Sequence, residues 1–323
     1  AMDIRQLRYF VQIVESGSLL KASRQIFIAQ PALSQQLAKL EAEVGVSLLT
    51  RSARGVVPTE NGHALYHHAK FLIRQVDQSV LIARQGPSAI AGMVSIGLAP
   101  TTVAAIGLEL VRHLRTKYPS VVLNVVESLS GHLEQMLELG RLDMAILFKQ
   151  LELPRHAAER LVDETLVVVL AADSTLVPTR RRSLSLAEAC RLPLILPTGS
   201  HGLRRRIDIE TERQNLRLNL VAEVDSLSLL MASVREGFGA TIQPMSATLV
   251  GARSPRDWRV LEISNANLTR RNYLYTLGTD RLSPAAVVVR DELLQLVRTL
   301  VTSGRWPGAR ADPALLAVRP PAT

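Results

Sequence analysis

Gln30, Ser34 and Gln35 are the residues whose types and spacing point most directly to a chemistry. They lie around Pro31–Glu43, where Leu33, Leu37, Leu40 and Val44 recur at three and four residues. That period places the leucines on one face of a helix and the amides and hydroxyl, with Gln36, on the other. Short side chains of this kind suit base edges and phosphate oxygens better than a core. Pro31 fits a first helical turn, where its missing N–H would be unpaired in any case. A helical stretch over Leu19–Gln25 and a tight turn precede this helix, and a basic hairpin with Arg51 and Arg54 follows it. That order is a winged helix-turn-helix, with one helix in the major groove of double-stranded DNA and the hairpin flanking it. The DNA-facing set is then Gln30, Pro31, Ser34, Gln35, Arg51, Arg54 and Thr59. The competing reading is a helical subdomain with an ordinary solvated face.

Composition agrees with a polyanionic partner. The chain has 323 residues, a formal charge of +9, 47% hydrophobic residues and only 4% aromatics, so its core is aliphatic. Basic runs at Arg180–Arg182 and Arg204–Arg206 extend the charge well beyond the helix-turn-helix, and Arg204–Arg206 reads as a solvated helix face or a salt bridge to a partner lobe. Cys190 is the sole cysteine, which excludes an internal disulfide, fits a reducing cytoplasm and reads as an apolar filler. No apolar run reaches the ~18 residues that a membrane span needs, and no signal segment opens the chain, so neither membrane nor secretion is expected.

Thr59 to about Gln85 reads as one long helix, capped by Thr59 and stopped at Gly86-Pro87. Leu65, Leu72, Val76 and Val80 form one stripe along it, wide enough to meet another helix. His63 and His67 have a chelating spacing, but no cysteine or carboxylate accompanies them, so no metal is expected. From Gly92 the pattern becomes α/β. Short β-branched runs (MVSIGLAP, VVLNVVE, LDMAILF, then LPLILP, LNLVAEVD, ATIQP) alternate with helical stretches, which implies a parallel sheet covered on both faces. Gly237-Phe238-Gly239 follows a helix and precedes a strand, the reverse of a dinucleotide loop, and reads as a helix stop. Residues 303–323, with Pro307, Pro313, Pro320 and Pro321, read as a disordered tail.

In such sheets ligands sit beyond the carboxyl ends of strands, at helix N-termini. Those positions are Pro100, Thr101 and Thr102, then Ser128 and Ser130, with Thr198, Gly199, Ser200 and His201, and Asp225 and Ser226 opposite. They form a candidate site for a small anionic effector; each hydroxyl could equally be only a helix cap.

The chain resembles the LysR-type transcriptional regulators. DIRQLRYFVQIVESGSLLKAS and IAQPALSQQLAKLEAEVGVSLLTRSARGVVPTENG carry the resemblance, with the family pattern at Gln30, Pro31, Ala32, Ser34, Leu40, Glu41 and Gly45. IAQPALSQQ, TRSARGVVPTENG, VSIGLAP and LDMAIL are similar to the nitrogen-assimilation-control subgroup. One departure is Ala29, where the family often has a capping Ser or Thr. The resemblance implies an N-terminal all-α winged helix-turn-helix over 2–58 and a dimerising linker helix over 59–87. It further implies a C-terminal α/β effector-binding domain over 92–302, built as two Rossmann-like lobes in the manner of type 2 periplasmic binding proteins. Lobe I would be 92–167 with 269–302, and lobe II 168–268. It also implies a homodimer or homotetramer that bends operator DNA and recruits or blocks RNA polymerase. The nitrogen-control subgroup acts without a small co-inducer, which leaves control by abundance as an alternative.

Two rival functions are weaker. An enzyme would need a nucleophile, base and orienting group, yet no G-x-S-x-G elbow, phosphate loop or metal cluster appears, and no cofactor is expected. A DNA-architectural protein without a specific operator would share the basic charge and differ in its specificity ratio.

Overall fold

The computed structural model describes residues 2–52, 55–85, 90–151, 153, 156–251, 254–278 and 282–317. The chain divides into two compact units, residues 1–93 with 136–142, and residues 94–135 with 143–323.

In the first unit the elements are α1 (Ile4–Ser16), α2 (Leu19–Gln25), α3 (Gln30–Val44), β1 (Leu49–Ser52), β2 (Gly55–Pro58) and α4 (Glu60–Gln85). Local signals set the helix ends. Asp3 and Gln6 form a capping box on α1, Ser18 caps α2, and Gly17 and Gly45 end α1 and α3 in the left-handed region. Leu33, Leu37 and Leu40 of α3 pack with Phe10, Ile13, Leu19 and Ala22 in one cluster. The hairpin pairs Leu49 with Pro58 and Ser52 with Gly55. The Val56 N–H donates to the Gly17 carbonyl at 2.9 Å, and a Cβ on Gly55 would run into that same oxygen. Gly55 is therefore required by a close approach between hairpin and α1–α2 turn. Leu65 and Leu72 of α4 pack beside Leu7, Val11 and Ala69. Gly86-Pro87, read as the helix stop, lies outside the described residues.

The second unit begins with β3 (Gly92–Leu98), α5 (Pro100–Thr102), a π turn (Val103–Gly107), α6 (Leu108–Lys117) and β4 (Val121–Glu127). It continues through α7 (Ser130–Glu138), β5 (Met144–Leu147), β6 (His156–Ala171), β7 (Ser183–Leu184) and α8 (Leu186–Arg191). Next come β8 (Leu194–Leu196), α9 (Gly202–Arg213), β9 (Leu220–Glu223), α10 (Leu227–Arg235) and β10 (Thr241–Pro244). It closes with β11 (Trp258–Ile263), β12 (Thr269–Leu277), α11 (Pro284–Thr302), β13 (Ala309–Ala311) and α12 (Pro313–Ala317). The principal sheet runs β4-β3-β5-β12-β6-β11-β7, with β10 and β13 also on β6.

The expected two-lobed architecture is present, but the sheet is mixed rather than parallel. β3 and β5 are parallel, as are β8 and β9, whereas β12 is antiparallel to both β5 and β6. The reason is topological: β6 carries the chain out of lobe I and β12 brings it back, so these neighbours must run in opposite directions. The expected lobe boundary at 167/168 falls inside β6, a single 16-residue strand that serves both lobes. Its run Leu166–Leu170 is apolar on both faces. Leu166, Val168 and Leu170 join one cluster with Cys190, Leu203 and Ile207, while Val167 and Val169 join another with Leu230, Met231 and Val234. Period two thus directs alternate side chains to opposite helical layers. Cys190 is buried in that packing, and burial pushes its thiol up to about 11, in keeping with an inert filler.

The expected disordered tail is a correction. Ala309–Ala311 pairs antiparallel with β6 at Glu164, Asp163 and Val162, and α12 follows. Trp306 and Leu315 are buried. Two apolar anchors outweigh the proline-rich composition, and Pro313 simply starts a helix. Residues 318–323 lie outside the described set.

Candidate functional site

Two places on the molecule concentrate polar groups without a core to bury them. The first is α3. Its stripe Leu33–Leu37–Leu40 is buried while Gln30, Pro31 and Gln35 are exposed and Ser34 is partly so. Ala29 offers no side-chain cap, as expected, so the first N–H groups of the helix keep no side-chain acceptor from that position. Glu41 anchors the opposite end: its Oε1 accepts from the Leu48 and Leu49 N–H groups at 2.7 and 3.2 Å. This explains why a glutamate follows Leu40: it clamps the hairpin to α3. Arg51 stands on β1, its side chain outside the description, and Arg54 lies outside the described residues. Thr59 caps α4, as expected, and also ties it to the hairpin. Its hydroxyl donates to the Ser47 carbonyl at 2.8 Å and accepts from the Gly62 N–H at 3.0 Å, so it joins the hairpin to the start of α4.

The second place is the cleft of the second unit, where Arg270 lines two cavities. The smaller one, about 20 Å³, is lined by Pro100, Thr101, His201 and Asp225 together with Gln243 and Arg270. Four of the expected effector residues therefore do converge, but around a space no larger than about one water. Their polar atoms are also largely engaged by neighbouring groups. Asp225 accepts from the Thr198 N–H at 2.9 Å and from its hydroxyl at 3.0 Å, while His201 Nδ1 accepts from the Leu203 N–H and caps α9. Burial and the neighbouring Arg270 charge hold the His201 pKa below its ordinary value, so the ring is neutral near pH 7. Ser226 caps α10, and the Ser128 N–H donates to the Leu98 carbonyl. Thr102 Oγ1 is buried without a hydrogen-bond partner among the described residues. Thr102, Ser128, Thr198 and Ser226 line neither cavity.

The larger cavity, about 530 Å³, is also lined by Arg270, and of the expected residues Ser130 and Ser200 line it. Its walls carry Lys149, Arg205, Arg206 and Arg271 with Glu134, Phe148 and Tyr273. Lys149 is paired with Glu134 at 2.8 Å, and Arg206 donates to the Asn267 carbonyl at 3.1 Å. Arg205 and Arg271 are exposed and have no side-chain partner among the described residues. The run Arg204–Arg206, expected as a solvated or ion-paired face, is divided between two environments. Arg204 is indeed paired, with Asp208 and Glu223, but Arg205 and Arg206 turn toward the cavity.

Arg270 itself is held rigidly. Its guanidinium reaches Glu164 Oε2 at 2.6 Å and Thr101 Oγ1 at 2.9 Å, and lies 3.8 Å from the Phe148 ring centre. Glu164 is 1% exposed and also accepts from Ser246, Trp306 and Asn272. Burial raises its pKa; the Arg270 charge and these hydrogen bonds more than offset that and leave it below the ordinary carboxylate value. With a second contact from Arg270 Nε at 3.2 Å, this buried carboxylate accepts from five donors and is fully satisfied, which is what allows an ion pair inside the sheet. Neither Glu164 nor Arg270 was expected as a functional residue. The available cue was a charge leading into an apolar strand, at Asp163-Glu164 before Leu166–Leu170.

Residues 4–63 match the bacterial regulatory helix-turn-helix protein, lysR family, and residues 88–298 match the LysR substrate binding domain. The chain belongs to the LysR family. It is thus a DNA-binding transcriptional regulator of LysR type, as the motifs at Gln30–Gly45 implied. The nitrogen assimilation regulatory protein nac of Klebsiella aerogenes is 36% identical over 92% of this chain and 95% of its own length. Its Escherichia coli (strain K12) counterpart is 32% identical, over 94% and 98%. Among solved structures, a full-length OxyR variant from Pseudomonas aeruginosa superposes with a TM-score of 0.69 at 21% identity, covering 96% of this chain and 98% of that one. Full-length CbnR in complex with its target DNA gives 0.62 at 20% identity, covering 92% and 99%. At that identity the structures establish the LysR fold alone. The similarity to nitrogen-assimilation regulators, read from short motifs, extends over nearly the whole LysR chain. Among the described residues no helix is long and apolar enough to cross a membrane, and no group of three or more His, Cys, Asp or Glu residues is arranged to hold a metal.

Proposed function

We propose that this LysR regulator reads its operator with α3, through Gln30, Ser34 and Gln35 at base edges, with Arg51 and Arg54 reaching phosphates or the flanking minor groove. The observation that carries this is the division of α3: a buried leucine face clamped by Glu41, and an exposed amide face whose first turn is uncapped. Free N–H groups there suit a phosphate as well. Two chains pair through α4, whose Val76 and Val80 are 40% and 45% exposed and continue the half-buried stripe of Leu65 and Leu72 outward. Pairing sets two reading helices in major grooves about 34 Å apart. A tetramer spans two such sites, bends the DNA between them, and acts on RNA polymerase.

In the second unit the 530 Å³ cavity, rather than the helix-start site, takes the effector. Its uncommitted Arg205 and Arg271 favour a small organic dianion whose apolar part rests on Phe148 and Tyr273. The relation to the nac proteins supports a second reading, in which the regulator works at fixed ligand state and is controlled by its abundance. Genome-wide mapping of bound sites, followed by footprinting with and without organic anions, tests both. A shared inverted repeat whose footprint changes with a dianion supports the gated reading. A shared repeat indifferent to every anion supports control by abundance. Binding without any shared sequence removes the operator-reading role of α3.

A further inference from the structure

We infer that Phe27 is a specificity-determining residue of the DNA interface, seated against the 5-methyl group of a thymine at the edge of the bound site. The inference rests on α3 being the helix that enters the groove. Three large apolar residues in a row, Ile26, Phe27 and Ile28, form the turn between α2 and α3. The core accepts only two of them. Ile26 and Ile28 pack against the cluster of Phe10, Leu33 and Leu37, whereas Phe27 is 94% exposed. Hydrogen bonds from the Ile26 N–H to Ala22 and from the Ile28 N–H to Ser23, both 3.0 Å, fix this arrangement. They hold Phe27 at a φ of 55°, in the left-handed region that a bulky residue rarely occupies.

For the free protein this position is unfavourable twice over. The largest apolar side chain of the turn is in water, and its backbone conformation is one that glycine or asparagine would adopt at less cost. The surroundings say what covers it. Lys21 and Arg24 of α2 are exposed before the turn, and Ala29, Gln30, Pro31 and Ala32 are exposed after it. Cations for phosphates therefore precede Phe27, and a mostly apolar edge with one amide follows it. The major groove displays one kind of apolar group, the thymine methyl, and phenylalanine is among the side chains that read it. A ring standing out beside the first turn of the reading helix matches that group in chemistry and in place. Gln30 and Gln35 then read hydrogen-bonding atoms while Phe27 reads a methyl, so the two sets discriminate different features of the same site.

Duplexes enriched from a random library by the full chain provide the probe. Each thymine is replaced in turn by uracil, which removes one methyl group and leaves the pairing edge intact. Affinities of the native chain and of Phe27→Ala are measured on every duplex at one salt concentration. At one or two thymines per half-site the native chain should lose about fourfold on uracil, the value of one apolar carbon leaving contact. Phe27→Ala should be weakened by at least that factor on thymine and be indifferent to uracil there, with random DNA bound equally by both. Phe27→Gly, which also relieves the left-handed backbone, should lose the same discrimination while unfolding at an equal or higher temperature. The inference is overturned if Phe27→Ala binds the thymine duplex as tightly as the native chain. Equal uracil losses in both proteins at every position would overturn it too, as would a loss shared equally by enriched and random DNA. A change in oligomeric state on substitution, with thymine discrimination intact, would assign the ring to a second copy of the chain instead.

Discussion

The reading helix and the cleft solve opposite problems. α3 gathers its proposed chemistry from fifteen consecutive residues, and Gln30, Pro31 and Gln35 on its polar face are exposed. The cleft assembles Thr101, Phe148, Glu164, Arg270 and Trp306 from widely separated parts of the chain, and its central ion pair works because everything around it is covered. An exposed site keeps its donors for a partner. A buried one must satisfy each donor internally before it can position anything.

The comparison is most easily broken at Glu164. Glu164→Gln leaves the Arg270 charge buried without its counterion, and equilibrium unfolding of the full chain should show a loss of roughly 3–5 kcal/mol. A loss comparable to that of a surface substitution would mean the cleft is not organised by this pair. The same group predicts an acid dependence. Its folded-state pKa lies below the ordinary 4.5, so in the window between the two values the unfolded chain binds more protons than the native one. The pair's stabilisation is therefore full above about 4.5 and disappears as pH falls through the depressed value. Unfolding midpoints from pH 7 downward should show this acid branch in the native chain and a shallower one in Glu164→Gln.

At the reading helix the effect is smaller and falls on recognition instead of stability. Gln35→Ala should weaken operator binding by about 1–3 kcal/mol, spare random DNA and leave the unfolding temperature unchanged. Equal losses on both DNAs would remove its base-reading role. In the larger cavity, Arg205→Ala and Arg271→Ala should each lower the affinity for an aromatic dicarboxylate such as phthalate by roughly 1 kcal/mol in calorimetry. Operator binding without ligand should be unaltered. Affinity that survives both substitutions would place the ligand elsewhere.

The legible part of the molecule follows this division. Helix period, the proline at Pro31 and the Thr59 cap are local, so α2, α3, α4 and the polar face of α3 could be read from the residues themselves, whereas α1 was not. The position of Ser130 at a cavity and the convergence of Pro100, Thr101, His201 and Asp225 were also legible, since helix starts after strands follow from topology. Whether that convergence left room for a ligand was not. Thr198 and Asp225 engage each other, and only their three-dimensional separation could reveal it. Arg205 and Arg206 looked like a solvated face because a basic run on a helix usually is one. The tail was misjudged because proline counts speak for a whole segment, whereas Trp306 and Leu315 act as two points of attachment.

By itself the sequence determined the helix α3 and its polar face, the alternation of strands and helices, and the family to which they belong. All of these depend on contacts within a few residues or on patterns repeated along the chain. Tertiary structure alone decided that one strand serves both lobes, that Glu164 and Arg270 meet across 106 positions, and which of two cavities is open. It also decided that Phe27, flanked by two half-buried isoleucines, faces outward. Each of those outcomes depends on competition for a shared interior volume, and that competition is settled only when all the elements pack at once.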